Sequence, residues 1–351
     1  MFLAQSSHGS NQANWPRLLA DIGGTYARLA LLEEADAELT ALNVLRCADY
    51  AGPLELITAY LSQTAQSHPK SASLAMANPV SGDQVQMTNL DWTFSIESLR
   101  AALGLNRLLV LNDFSALALA IPSILPADLH PLTAPDKAHH HGFSDQAAVE
   151  KPDFRGPNAL IGPGTGLGVS GLIPALGAGA QWLPLMGEGG HVTLFAESDR
   201  EFSILQWFRA RYGHVSAERI LSGTGLVELV MALNVLQGQP NLELSPAQVL
   251  SMGLSGKQAN ARQALDLFCG WLGAVAGNLA LTLGASGGVY IGGGIAPRIS
   301  DFLSHSSFRS RFVAKGRFQS YLEAIPTWLI MAQVSPALYG ASSALESHTL
   351  P

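Results

Sequence analysis

An α/β chain built as two similar halves is the fold class that this 351-residue sequence predicts. Two stretches carry the same device: an apolar run, a glycine-threonine turn and a second apolar run. The first is Leu18-Leu19-Ala20-Asp21-Ile22-Gly23-Gly24-Thr25, continuing through Ala27 to Leu32. The second is Ala159-Leu160-Ile161-Gly162-Pro163-Gly164-Thr165-Gly166, continuing through Leu167 to Leu172. Around them, strand-like and helix-like runs alternate along the chain. The length also exceeds what one compact core fills, so two domains are expected.

In chain order, strands are expected at 17–21, 26–32, 41–47, 72–77, 84–88 and 107–111, with helices near 53–66, 95–103 and 114–121. Each glycine-threonine device reads as strand, tight turn and strand, with backbone N–H groups and a hydroxyl pointing at whatever sits above the turn. Glycine lacks a Cβ, so a bulky anion approaches such a backbone closely. One such turn in each half suggests a pair of jaws on one polyphosphate. Met1 to Trp15 is polar, lacks the basic-then-apolar order of a signal peptide, and reads as a mobile tail. Ser123 to Pro157 is polar and proline-rich, a domain junction followed by an excursion loop. Its His139-His140-His141 run is read as solvated in preference to metal-binding. Helices follow near 199–212, 224–237, 246–254 and 258–283, then a strand at 288–291, a last strand at 327–332 and a helix near 336–346.

From Leu267 to Pro297 no residue is charged, a length that spans a bilayer. Gly270, Gly273, Gly277 and Gly284 recur in it, and the Ser286-Gly287-Gly288 turn interrupts it. With no second span and no basic flank, it reads as a buried helix and a buried strand. Charged residues make up 13% of the chain against 48% hydrophobic, and mean hydropathy is +0.20, so a large interior is expected. A formal charge of −7 without a Lys/Arg cluster argues against nucleic acid or an anionic membrane as partner. Cys47 and Cys269 are the only cysteines, too few for a disulfide framework or a cysteine-rich metal site; a reducing compartment is the simpler reading.

Asp21 ends its strand just before the first turn. It either caps the turn or faces a cation that sits between it and phosphates, as Mg²⁺ does through one or two carboxylates. Asn112-Asp113 closes the apolar strand Leu108 to Leu111 and opens a helical run. Asp113 is then a helix N-cap, or a general base at the carboxyl end of a strand, where open α/β sheets place ligands; the two roles are compatible. Gly187-Glu188-Gly189-Gly190-His191 suits neither helix nor strand and presents two polar side chains for a polyhydroxylated ligand. By itself Glu218, in His214-Val-Ser-Ala-Glu218-Arg219, is an exposed member of a Glu-Arg pair at a helix start. Gly287 to Gly294 brackets a short strand with glycines, a flat surface for a purine or merely a glycine-rich corner. Gly166 to Gly171 matches the dinucleotide pattern G-x-G-x-x-G, but Pro174, Gly177 and Gly179 leave no helix to follow it, so the match is read as accidental.

In order, Asp21-Ile-Gly-Gly-Thr25, Leu111-Asn112-Asp113-Phe114, Gly162-Pro-Gly-Thr-Gly-Leu-Gly168, Gly187-Glu-Gly-Gly-His191, His214-Val-Ser-Ala-Glu-Arg219 and Gly292-Gly-Gly-Ile295 resemble the motifs of bacterial glucokinases. The resemblance covers about residues 17 to 346. It implies the two-domain actin-like ATPase (ribonuclease H-like) fold with a central ligand cleft, a smaller domain over 1–122 plus 333–351 with residues 1–16 a disordered tail, and a larger domain over 123–332. It implies a cytoplasmic homodimer that transfers the γ-phosphoryl group of ATP to the 6-hydroxyl of glucose. Asp113 matches the catalytic base and also touches the sugar; Asn112, Glu188, His191 and Glu218 match sugar ligands, which reverses the reading of Glu218. Asp21, Gly23, Gly24 and Thr25, with Gly162, Gly164, Thr165 and Gly166, match the two phosphate loops, and Gly293 and Gly294 the adenosine region. Asp21 matches the residue that orients Mg²⁺ through water. The stretch from about Asp136 to Phe154 is longer than the family pattern needs, the N-terminal tail is extra, and no cysteine cluster near the histidine suggests zinc. A sugar-sensing regulator on the same fold is the alternative, but residues 1–17 are too short and uncharged to read DNA.

Overall fold

The computed structural model describes residues 14–35, 37–64, 68–132, 156–175 and 182–346. They fall into two compact units: the described residues up to Ser123 together with those from Val334 onward, and Ile124–Gln333. His139 to His141 and most of the expected excursion loop lie outside the described residues.

The first unit is built on a five-stranded sheet. Its strands are β1 (Arg17–Ile22), β2 (Tyr26–Leu32), β3 (Thr40–Arg46), β4 (Ser71–Met76) and β7 (Arg107–Asn112), in the order β3-β2-β1-β4-β7. A small separate pair, β5 (Gln84–Gln86) and β6 (Thr93–Ser95), lies beside it. β1 and β2 form an antiparallel hairpin, whereas β1, β4 and β7 run parallel. β4 is buried at every residue, as a parallel strand covered on both faces must be. Leu56, Ile57 and Tyr60 of the helix Pro53–Thr64 and Leu99 of the helix Ile96–Ala102 join the core on one face. The helices Asp113–Ala120 and Pro336–Glu346 pack against each other and against β4. Their crossing is close enough that a Cβ on Gly340 would lie 1.7 Å from the Ala116 carbonyl oxygen. The last helix is pinned at its end by Arg17, which reaches Glu346 at 3.1 Å, and by Arg107, which donates to the Leu345 carbonyl.

The second unit repeats this plan. Its six-stranded sheet has the order β11-β10-β9-β12-β13-β8, with β8 (Leu129–Pro131), β9 (Asn158–Pro163), β10 (Leu167–Pro174), β11 (Trp182–Pro184), β12 (Gly288–Ile291) and β13 (Thr327–Ile330). β9 and β10 form the antiparallel hairpin, and β9, β12 and β13 run parallel. Thus an antiparallel edge strand, a hairpin and two parallel strands appear in the same sequence in both sheets, which is the repetition that the two glycine-threonine devices predict.

Two expectations need correction. Residues 14 to 16, expected to belong to the tail, are tied to the sheet: the Asn14 carbonyl accepts a hydrogen bond from Ser71 Oγ and the Pro16 carbonyl one from Lys70 N–H, while residues 1–13 lie outside the described residues. The junction expected from Ser123 contains β8, which pairs antiparallel with β13. Three residues are too few to show a periodicity, so the sequence hides this strand.

The uncharged segment forms the helix Ala259–Leu283, long and apolar enough to cross a membrane by length and composition, yet 72% of its most apolar window is buried inside the protein. Its glycines have a packing reason: a Cβ on Gly273 would lie 2.0 Å from the Phe308 carbonyl oxygen, and one on Gly277 2.4 Å from that of Phe312. They form a groove in which the helix Phe308–Val313 rests, backbone against backbone. Replacing glycine by alanine inside a helix ordinarily stabilises it by up to ~1 kcal/mol. Here the overlap wins, and Gly273→Ala is expected to lower stability by about 1–3 kcal/mol in urea unfolding; an unchanged or higher midpoint would contradict the packing.

Candidate active site

Parallel strands bring their carboxyl ends to one edge of the first unit's sheet. By register, Asp21 on β1 lies level with Ala75 on β4 and Leu111 on β7, so Asp113, two residues on, sits at the same edge. β1 and β7 flank β4, which puts their backbones about 10 Å apart.

Asp21 is held mainly by one oxygen: Oδ2 accepts from Ser335 Oγ at 2.7 Å and from Arg28 Nη1 at 3.5 Å. Its side chain is only 14% exposed. Burial pushes its pKa above the ordinary carboxylate value, and the bonds from Ser335 and Arg28 offset that only in part. A carboxylate left short of positive charge beside a glycine turn is a donor that fits a hard, oxygen-loving divalent cation such as Mg²⁺. The turn itself is closed by Gly23 N–H donating to the Tyr26 carbonyl at 3.0 Å. Cys47 supports it from beneath, its N–H donating to the Thr25 carbonyl and its Sγ–H to that of Gly23. Gly24 packs against Asn89, whose Cβ would stand 2.9 Å from an added methyl, while Thr25 is exposed.

At the helix start the structure separates two roles that the sequence left open. Asn112, not Asp113, is the N-cap: its Oδ1 accepts from the N–H groups of Phe114 at 2.9 Å and Ser115 at 3.2 Å. Asp113 is the first helical residue, half-buried, with Oδ1 sharing the Phe114 N–H at 2.9 Å. Asn112 Nδ2 donates to the Asn78 carbonyl at 3.4 Å. Asn78 lies just past β4 on this same edge, buried, and its own Oδ1 has no partner among the described residues. A buried amide oxygen without a partner calls for a ligand or a water.

In the second unit, the β9–β10 turn is Gly164 to Gly166, closed by Gly164 N–H donating to the Gly166 carbonyl at 2.8 Å. Thr165 is exposed at its tip. Gly162 lies within β9, buried and paired with Gly168, so it is a strand residue rather than part of the turn. Gly166 to Gly171 therefore belongs to β10 for most of its length and runs on as strand to Pro174, and among the described residues no helix follows it as a dinucleotide fingerprint requires. The glycines after β12 press against the same turn. Gly292 N–H donates to the Ile161 carbonyl and Ile295 N–H to that of Pro163. Gly293 adopts φ +80°, where a Cβ would also lie 2.4 Å from the Pro163 carbonyl oxygen, so only glycine fits there. Gly294 faces open space, 3.7 Å from the position a Cβ on Gly164 would take.

Glu188 precedes a single helical turn, Gly189–His191. Its glycines are required by packing: a Cβ on Gly190 would meet the Leu167 carbonyl oxygen at 2.2 Å, and one on Gly189 the Val169 side chain at 2.6 Å. His191 stands between two carboxylates, with Nε2 3.9 Å from Glu188 and Nδ1 3.9 Å from Glu218. Glu218 rides on the short helix Ala217–Ile220, capped by Ser216, and its Oε2 accepts the Leu167 N–H at 2.9 Å. It does not pair with Arg219, whose guanidinium lies over the Tyr212 ring. Glu188, His191 and Glu218 thus form one polar cluster beside the turn. Such a cluster offers two acceptors and an imidazole to a ligand rich in hydroxyls. Sequence reasoning missed Ser335, Cys47 and Asn78, none of which belongs to a recognisable pattern.

The sequence model of a family described as Glucokinase matches residues 18–348. The chain is 48% identical over 334 residues to a protein named glucokinase from Aromatoleum aromaticum, covering 95% of each. Its structure is similar to that of a glucokinase from an Antarctic psychrotroph, with TM-score 0.80, 35% identity, and coverage of 94% of this chain and 98% of that one. In fold it is also similar to a glucokinase from Balamuthia mandrillaris solved in complex with glucose, with TM-score 0.76, 20% identity, and coverage of 95% and 94%.

Proposed function

Since the chain belongs to the glucokinase family, ATP-dependent phosphotransferases on the actin-like ATPase fold, we propose that Asp113 drives transfer of the γ-phosphoryl group of MgATP to the 6-hydroxyl of glucose. The observation that carries this reading is the carboxyl edge of the first unit's sheet, where Asp21 and Asp113 stand two strands apart on a rigid parallel scaffold. About 10 Å between the strands leaves room for a phosphoryl group and an attacking alcohol. The name glucokinase on relatives 48% and 35% identical supports the choice of sugar.

Asp113 accepts the proton of the 6-hydroxyl as O6 forms its bond to the γ-phosphorus and the bond from that phosphorus to the bridging oxygen of ADP breaks. The products are glucose 6-phosphate and ADP. Glu188, His191 and Glu218, with the Asn112 amide, hold the sugar hydroxyls so that O6 rather than water meets the phosphorus. The Gly23-Gly24-Thr25 and Gly164-Thr165-Gly166 turns present backbone to the phosphates, and Gly293 and Gly294 give the adenosine a surface free of side chains. Asp21 would hold Mg²⁺ through a water, and the ion, when bound, would offset charge on the phosphates. The family resemblance extends the proposal to a cytoplasmic homodimer, without nucleic-acid or membrane partners.

A coupled assay with glucose-6-phosphate dehydrogenase tests the reading. NADPH is expected only when glucose and MgATP are both present. Glucose binding without ATP consumption would instead point to a sugar sensor and overturn it.

A further inference from the structure

Glu218 directs its two oxygens to different parts of the second unit. Oε1 stands 3.9 Å from His191 Nδ1, on the loop proposed to hold the sugar, while Oε2 accepts the N–H of Leu167 at 2.9 Å. Leu167 is the first residue after the Gly164–Gly166 turn and opens β10. The fit is tight: a Cβ on Gly166 would lie 2.4 Å from that same Oε2, so the glycine makes room for the carboxylate. The turn has its own anchors: a bond from Gly164 N–H to the Gly166 carbonyl closes it, and Gly223 N–H donates to the Gly164 carbonyl. Glu218 adds the side-chain anchor at its far end, on the Leu167 N–H.

We infer that Glu218, besides touching the sugar, is a positioning residue for the nucleotide: its Oε2–Leu167 bond fixes the phosphate turn, so that nucleotide binding depends on Glu218 even when no sugar is present. The inference rests on the proposed kinase reading. Two effects oppose each other at this position. A carboxylate near the phosphates repels them, whereas an acceptor on the Leu167 amide orders the turn that receives them. Glutamine separates the two, since its amide oxygen accepts from Leu167 N–H but carries no charge.

The test is calorimetry of a non-hydrolysable ATP analogue with Mg²⁺, without glucose, on the full chain and its variants. Glu218→Ala is expected to bind the analogue roughly tenfold more weakly than wild type, as loss of a charge-assisted hydrogen bond allows. Glu218→Gln is expected to bind at least as tightly as wild type. Gly166→Ala keeps the carboxylate but displaces it, and is expected to weaken the analogue as Glu218→Ala does. Circular dichroism confirms that each variant folds, and any one that does not leaves the other two to decide. If Glu218→Ala and Glu218→Gln both match wild type, Glu218 serves the sugar alone; if both bind more tightly, repulsion dominates. Either result overturns the inference while leaving the kinase reading intact. Failure of the wild-type chain to bind the analogue overturns both.

Discussion

Asp113→Ala is expected to lower kcat by on the order of 10²–10⁴ while the protein keeps its fold. The structure explains why the two effects separate. Asn112 caps the helix Asp113–Ala120, and the Phe114 N–H that Asp113 shares keeps its bond to Asn112 when the carboxylate is removed. The helix is also locked from outside by the last helix of the chain, through the close approach at Gly340. Alanine at 113 therefore removes a proton acceptor without removing a cap. The neighbouring Asn112→Ala is the control: losing a cap costs ~1 kcal/mol of stability, visible as a lower unfolding midpoint. Near-normal turnover of Asp113→Ala in the coupled assay would remove Asp113 from the mechanism.

Asp21→Asn is expected to lower kcat by about 10²–10³, since metal stabilisation of transferring phosphates contributes several kcal/mol. In metal-free buffer at neutral pH the same variant is expected to unfold at a higher temperature than wild type. Burial raises the Asp21 pKa above its unfolded value, so the folded chain holds that proton more tightly than the unfolded one. The corresponding stability is fully present below the unfolded pKa and is lost as pH rises through the raised folded value. Asparagine accepts the Ser335 and Arg28 bonds through its amide oxygen with no charge to desolvate. Wild type and Asp21→Asn should thus melt alike at acid pH and diverge as pH rises. A variant less stable than wild type at neutral pH would show that Asp21 is a structural anchor rather than a residue whose buried charge serves function.

How far the sequence reveals this arrangement differs from residue to residue. The two hairpins are legible because each joins apolar runs through a glycine turn, and that pattern depends only on neighbours in the chain. The helix Asp199–Tyr212 is legible for the same reason, and the structure has the bounds expected. β8 and β11, three residues each, are not legible, because their strand character comes from the partner they pair with. The glycines are instructive. Sequence reasoning gives the missing Cβ at Gly166 to a ligand; the structure gives that space to Glu218, fills the corresponding space at Gly189 and Gly190 with Val169 and the Leu167 backbone, and leaves Gly187 and Gly294 facing open space. Composition shows that a close approach occurs, not what approaches. Ser335, 314 residues from Asp21 in sequence, is beyond any local pattern.

Proton acceptance by Asp113 during phosphoryl transfer is the claim on which the account turns. Single-turnover quenched flow with γ-³²P-ATP and saturating glucose, on wild type and Asp113→Asn, measures that step apart from binding and product release. Label is expected to pass into glucose 6-phosphate at least about 10²-fold more slowly in the variant. Transfer at the wild-type rate would contradict it.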